Sequence, residues 1–293
     1  MSELDTTKPE TAAAPSAADT ESGGRRKALF IVFLVVVIDL LGFGIVLPLL
    51  PLYANNLLGP HYPVETHRLL HGIVLGALMA SFSFMQFLFA PIYGRISDRI
   101  GRRPILLLGL AGSVVFYGLF AYASHIGFAG EPRLALVLIL VARVGAGVAG
   151  ATISTAQAVV ADCTSFATRA RGMALIGIAF GIGFTCGPIL CFFSFVVPSK
   201  AAPGIAASLL SLIALLLAVA LLPETLRTSG TAAGRRDWIR FGATLEVLRT
   251  PVVGALVVTF FLATFAFGSL ESTLALMNQF LLSAGRVLRM EEM

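Results

Sequence analysis

The sequence predicts an all-α protein that crosses a membrane several times. Hydrophobic residues make up 57% of the 293 residues and charged residues 13%, about half the charged share of a soluble domain. Mean hydropathy is +0.89. The apolar residues are gathered into runs of about 20 or more, the length a helix needs to span a bilayer core. Lipid offers no partner to backbone N–H and C=O, so such runs are helices.

Taken in order, residues 1–24 are Ala, Thr, Ser, Pro, Glu and Asp with no apolar run, which predicts a disordered tail. The chain does not start with a short apolar core and cleavage site, so the tail is not a signal peptide. Seven apolar runs follow, at about 29–53, 72–93, 105–123, 134–160, 172–196, 204–222 and 251–281. The first six make one transmembrane bundle over 25–222. A polar, basic loop fills 223–250, a seventh helix 251–282, and a short tail 283–293.

Charge sets the orientation. The N-terminal tail and the second, fourth and sixth loops carry Arg25, Arg26 and Lys27; Arg95, Arg99, Arg102 and Arg103; Arg169 and Arg171; and Arg227, Arg235, Arg236, Arg240 and Arg249. The alternate loops carry only Arg68, Arg133 and Lys200. Positive charge stays on the cytoplasmic side, so the N-terminus is expected inside. The net charge of +5 is then a matter of membrane orientation, and no nucleic-acid partner is implied.

One loop holds more than orientation needs. "GRISDRIGRRPIL", residues 94–106, sets four arginines around Asp98 and punctuates them with Gly94 and Gly101. An acid contributes little to topology, and the glycines contribute nothing.

Gly94-Arg95-Ile96-Ser97-Asp98-Arg99-Ile100-Gly101-Arg102-Arg103 resembles the signature loop of the major facilitator superfamily, G-x-x-x-D-R-x-G-R-[KR], between the second and third helices. Other segments agree. Asp39-Leu40-Leu41-Gly42-Phe43-Gly44 with Pro48 and Pro51 is similar to the first-helix motif of its proton-coupled drug antiporters. Arg143 to Gly147 resembles the fourth-helix R-x-x-x-G motif, and Ala161-Asp162-Cys163-Thr164 the A-D-x-T ending that helix in tetracycline-efflux-like members. Gly183, Gly187 and Pro188 match G-x-x-x-G-P-x-x-G, with Cys191 in place of the last glycine; Leu222-Pro223-Glu224-Thr225-Leu226 also fits.

The resemblance implies the superfamily's fold: its N-terminal six-helix half plus about one helix of the second. It also implies a transporter of a small lipophilic or drug-like compound, exchanged for protons by alternating access, in the plasma or inner membrane. Uptake or exchange of a small metabolite uses the same scaffold. The expected partners are a small-molecule substrate, protons and the lipid bilayer; no cofactor or metal is expected.

Within this frame Asp39 and Arg143 carry the sharpest expectation. A charge at the bilayer centre costs about 2.5–3.5 kcal/mol on insertion scales, so it faces a wet cavity or a partner. Asp39 lies about 15 Å into its run at 1.5 Å per residue, Arg143 at a similar depth in its own. The two are expected near mid-membrane, close enough to pair, with Asp39 taking the proton and Arg143 modulating it; a static ion pair is the plainer reading. Glu271 reads either as a second proton or cation site or as an interfacial residue. Gln86 and Gln157 are candidate cavity groups. Gly183 and Gly187 share one helix face and permit close approach, and Pro188 bends the helix, which suits either a gate or plain packing. The resemblance implies a cytoplasmic latch in which Asp98 and Arg102 meet Asp162, with Arg99 and Arg103 in the same motif and Gly94 and Gly101 permitting a tight turn.

Superfamily members have about 12 helices in two halves, and rocking one half against the other needs both. The sequence predicts seven, with the apolar pattern lost from Asn278 onward. Truncation or a frameshift after about residue 277 is therefore expected, leaving a half-protein that does not transport unless a second chain completes it.

Rival classes are poorly supported. A seven-helix receptor has its N-terminus outside. H-E-x-x-H, G-x-S-x-G, paired catalytic carboxylates and phosphate-binding loops are missing from the sequence, so neither an enzyme nor ATP-driven transport is expected. Cys163, Cys186 and Cys191 lack metal or redox spacing and read as small packing residues.

Overall fold

The computed structural model describes residues 17–59, 62–63, 66–194, 199–225, 250–266 and 268–269. All elements among them are helices: α1 (Ala17–Val46), α2 (Leu49–Leu58), α3 (Arg68–Ile100), α4 (Arg102–Phe128), α5 (Pro132–Gly150), α6 (Ile153–Cys163), α7 (Arg169–Ser194), α8 (Ala202–Leu221) and α9 (Pro251–Ala266). Among the described residues, six stretches are long and apolar enough to cross a membrane: α1 from Lys27 through α2, α3, α4, α5 through α6, α7 and α8. Each coincides with one of the six apolar runs between 25 and 222. Of the seventh run only the part up to Ala266, with 268–269, is described, and Glu271 lies outside the described residues.

Two spans are broken in the middle. Pro48 has no N–H to donate and its ring excludes a continuous helix, so α1 gives way to α2 there. The fourth span breaks at Ala151–Thr152, where Ala151 N–H reaches back three residues to the Val148 carbonyl, at 3.3 Å. α1 begins at Ala17, so the last eight residues of the expected tail are helical; once a span nucleates a helix, each further residue adds to it at little cost.

The largest departure concerns the motif expected to be a loop. α3 runs to Ile100 and α4 starts at Arg102, so residues 94–103 are helix on both sides of a single hinge residue, Gly101. Its φ of +113° is a conformation side chains oppose, and a Cβ there would run into the Glu224 carboxylate. Gly94 is different. It is helical, and an added Cβ would meet only Ser154 Oγ, at 4.0 Å. The tight turn rests on Gly101 alone.

Packing brings α1 against α7 and α8, α4 against α5 and α8, and α3 against α5. α1 and α7 cross where Gly44 meets the Gly183–Gly187 face: a Cβ on Gly44 would lie 2.5 Å from the Gly183 carbonyl oxygen. The apolar core has two levels. One gathers Ile45–Tyr53, Leu78, Phe82, Phe120 and Ile139; the other gathers Val32–Val37, Leu106, Leu110, Val159 and Ile176. The candidate site lies between them.

Candidate functional site: a mid-bundle cavity and a charged cluster at one end

A cavity of about 980 Å³ opens between the two core levels. Asp39 and Phe43 of α1, Phe82 and Gln86 of α3, Tyr117 of α4, Arg143 of α5, Thr152 at the break, Phe180 and Phe184 of α7, and Phe260 and Thr264 of α9 line it. The wall is mostly apolar, six aromatic rings among aliphatic side chains, with a few polar groups converging on it, as small-molecule sites are built.

Arg143 is 2% exposed. Its Nε donates to the Leu78 carbonyl at 3.3 Å. The guanidinium carbon lies 4.5 Å from the Phe82 ring centroid and 5.6 Å from that of Phe43; the two rings are themselves 4.7 Å apart. Cation–π attraction to both rings offsets part of the charge's desolvation. Nη1 is buried without a hydrogen-bond partner.

Asp39 does not pair with Arg143. Ser113 of α4 engages its carboxyl, Oδ1 is buried without a partner, and no ion pair joins it to Arg143 among the described residues. Equal depth in the sequence led to the expectation of a pair. Depth does not fix which way a helix faces, and Arg143 is drawn instead onto two phenyl rings and a carbonyl. Tyr117, one turn beyond Ser113 on α4, lies within electrostatic reach of both charges. Phe82, Ser113 and Tyr117 escaped the sequence reading, and Phe43 entered it only as part of the first-helix motif, while the signal for Ser113 and Tyr117 is slight. The only signal for the last two is a pair of polar-capable residues four apart in an apolar run.

Gln86 lines the cavity, and its Nε2 donates to the Gly150 carbonyl at 3.0 Å, tying α3 to the break in the fourth span. Gln157 is exposed and off the cavity wall. Pro188 lies inside α7, one residue past the α1 crossing.

At the other end of α3 the expected latch residues do meet, with Arg102 at the centre. Arg102 Nη1 binds Asp98 Oδ1 at 2.5 Å and donates to Ser97 Oγ at 2.8 Å, while Nε binds Asp162 Oδ2 at 3.1 Å. The Arg102 side chain is 9% exposed, that of Asp98 61% and that of Asp162 32%. Glu224, just past α8, caps α4: its carboxylate accepts from Arg102 N–H at 2.9 Å and Arg103 N–H at 3.2 Å, neutralising the positive helix terminus. Arg103 Nη2 donates to the Val219 carbonyl at 2.6 Å. This cluster therefore ties α3, α4, α6 and α8 together at the arginine-rich end. Arg99 is exposed there. At the opposite end, His71 bridges Asn55, at 3.0 Å, and the Tyr62 carbonyl, at 2.8 Å, and Tyr53 donates to the Lys200 carbonyl at 2.5 Å.

Comparison with known proteins agrees with this architecture. The family model described as Major Facilitator Superfamily matches residues 32–288. The chain is 32% identical to the Bos taurus "Major facilitator superfamily domain-containing protein 10", over 85% of this chain and 60% of that protein. It is 36% identical to the "Tetracycline resistance protein, class G" of Vibrio anguillarum, over 70% of this chain and 47% of that protein. Among solved structures, that of the human organic anion transporter MFSD10 (TETRAN) matches with a TM-score of 0.56 and 34% identity, over 69% of this chain and 49% of that one. The chain thus spans 60% or less of each of these relatives. A helical bundle with a largely apolar cavity between two core levels, the signature motif folded about Gly101 and a family match over most of its length place this chain in the major facilitator superfamily.

Proposed function

We propose that this chain belongs to a proton-coupled antiporter that exports a small lipophilic or drug-like compound by alternating access. The observation that carries the reading is the cavity itself, which holds one acid and one arginine at mid-bundle, each with an unspent hydrogen-bonding atom, inside a largely apolar wall. Asp39 takes up and releases the proton, and Arg143 tunes it across the cavity. The likeness to tetracycline resistance proteins supports export of such compounds. The Asp98–Arg102–Asp162 cluster serves as the cytoplasmic latch that biases the transporter toward its outward-open state, and the α1–α7 crossing at Gly44 is the surface on which a gate turns. The arginine bias puts the N-terminus and the Arg102 end in the cytoplasm of a plasma or inner membrane. Residues 25–222 form the bundle, 223–250 the cytoplasmic central loop and 251–282 the first helix of the second half.

The test is drug accumulation in everted vesicles carrying the chain under an imposed proton gradient. Wild type concentrates drug and Asp39→Asn does not, although both insert equally. Undiminished uphill transport in Asp39→Asn would remove Asp39 from the proton step. No accumulation by wild type would leave the non-transporting half-protein as the reading.

A further inference from the structure

Asp39 sits where α1 meets α4 and α8, and the polar groups of that junction do not balance. Ser113 of α4 engages the carboxyl, while Oδ1 is buried without a partner. Gly42 follows Asp39 by three residues, on the same face of α1. A Cβ on Gly42 would lie 3.2 Å from the Tyr117 ring, 3.4 Å from the Ala207 carbonyl oxygen and 3.5 Å from Ser211 Oγ. So α8 brings the Ser211 hydroxyl against α1 within about a turn of the carboxylate. Ser211 is 0% exposed, and its hydroxyl has no partner. Ser124 and Ser208 both find one. Ser124 donates to the Phe120 carbonyl of its own helix at 2.7 Å, the usual local bond. Ser208, one turn before Ser211, donates across to the Val114 carbonyl of α4 at 2.8 Å. A buried hydroxyl and a buried carboxylate oxygen are each unfavourable when unpaired, and here the first can donate and the second, when ionised, can only accept.

We propose that Ser113 and Ser211 are positioning residues for Asp39: their hydroxyls, from α4 and α8, donate to its ionised carboxylate, Ser113 directly and Ser211 to Oδ1 through one buried water. The proposal rests on reading Asp39 as the proton site, and it names the groups that decide how readily the proton leaves. A water suits the gap, because the two atoms do not bond each other directly and the Ala207 carbonyl borders the same junction as a third partner. A hydrogen bond to the charged form favours that form, so the two serines hold Asp39 ready to release its proton. Tyr117 of α4 lies within electrostatic reach of Asp39, and Arg143 of α5 shares the cavity wall. α8 has no titratable residue. Asp162 and Cys163 of α6 and Arg169, Arg171, Cys186 and Cys191 of α7 do not line the cavity.

The experiment follows the proton itself. The detergent-solubilised chain is titrated with pH while infrared difference spectra record protonated carboxyl groups, and the band lost in Asp39→Asn reports Asp39. Removing a donor to the ionised form strengthens proton binding. In Ser113→Ala and in Ser211→Ala the midpoint of that band should therefore move to higher pH by about one unit, tenfold in proton affinity. The double variant moves it further. Ser113→Thr, which keeps a hydroxyl, titrates like wild type. Ser211→Cys keeps the volume with a weaker donor and carries the test if Ser211→Ala does not fold; its midpoint also rises. A role in packing alone lowers the thermal midpoint and leaves the titration where it was, and that result overturns the proposal. A shift in Ser113→Ala without one in either Ser211 variant overturns the part given to Ser211. An Asp39 band that neither serine moves refutes the positioning role but leaves Asp39 as the proton site, whereas no band lost in Asp39→Asn overturns both.

Discussion

Gly187 of α7 faces Gly44 of α1 backbone to backbone: a Cβ built on Gly187 would stand 2.5 Å from the Gly44 Cα. No side chain fits between the two helices there. Gly187→Ala therefore forces α1 and α7 apart and is expected to destabilise the bundle by about 1–3 kcal/mol. Gly177, on the same helix, has open space where its Cβ would be. Gly177→Ala should be neutral or slightly stabilising, because alanine is the better helix former by about 0.5–1 kcal/mol. Thermal midpoints followed by helical circular dichroism in detergent separate the two, and equal midpoints would refute the close crossing.

Gly101 and Gly94 bracket the signature motif but differ in what they require. Gly101→Ala meets both an unfavourable φ of +113° and the Glu224 carboxylate. A loss of about 1–3 kcal/mol is expected, the range for a residue held in a sparsely populated backbone region. Gly94→Ala sits in a helix with room for its methyl group and should leave the midpoint unchanged or raise it. Equivalent losses at both positions would mean that the hinge is not confined to Gly101.

Arg102 holds two acids of unequal exposure. Asp98 is 61% exposed, and solvent screens such a pair, so Asp98→Asn should alter stability by less than about 1 kcal/mol. Asp162 reaches Arg102 from another helix and is 32% exposed. Asp162→Asn removes a charged partner from a buried guanidinium and should cost about 1.5–3 kcal/mol. The order of the two midpoints is the check, and added salt should narrow the gap.

Phe82 covers the Arg143 guanidinium at 4.5 Å. Phe82→Leu preserves most of the volume but not the aromatic face, and a loss of about 1–2 kcal/mol is expected from cation–π and shape terms together. Phe84, two residues on, is 59% exposed, and the same substitution there should be silent. Chemical unfolding of both variants in mixed micelles decides it.

The placement of the first six spans was legible in the sequence, because in lipid the length of an apolar run alone dictates a helix; the seventh run is described only as the shorter helix Pro251–Ala266. The split of arginines between loops was legible for the same reason: it reflects single residues and their solvent, not contacts. The sequence also pointed to the acid and the arginine inside the bundle, since a charge within an apolar run has no bland explanation. Only the tertiary structure decided how they are used. Arg143 turns onto Phe82, Phe43 and the Leu78 carbonyl rather than onto Asp39, because helix rotation and neighbouring side chains, not depth, choose a partner. The Gly183–Gly187 face found its counterpart in Gly44, and Glu224 its role at the α4 terminus, more than 120 residues away in the chain. The signature motif is two helices about one glycine at φ +113°, and a carboxylate from beyond α8 occupies the space a side chain at Gly101 would need. These are contacts between distant segments, and no local pattern of residues encodes which segments will meet.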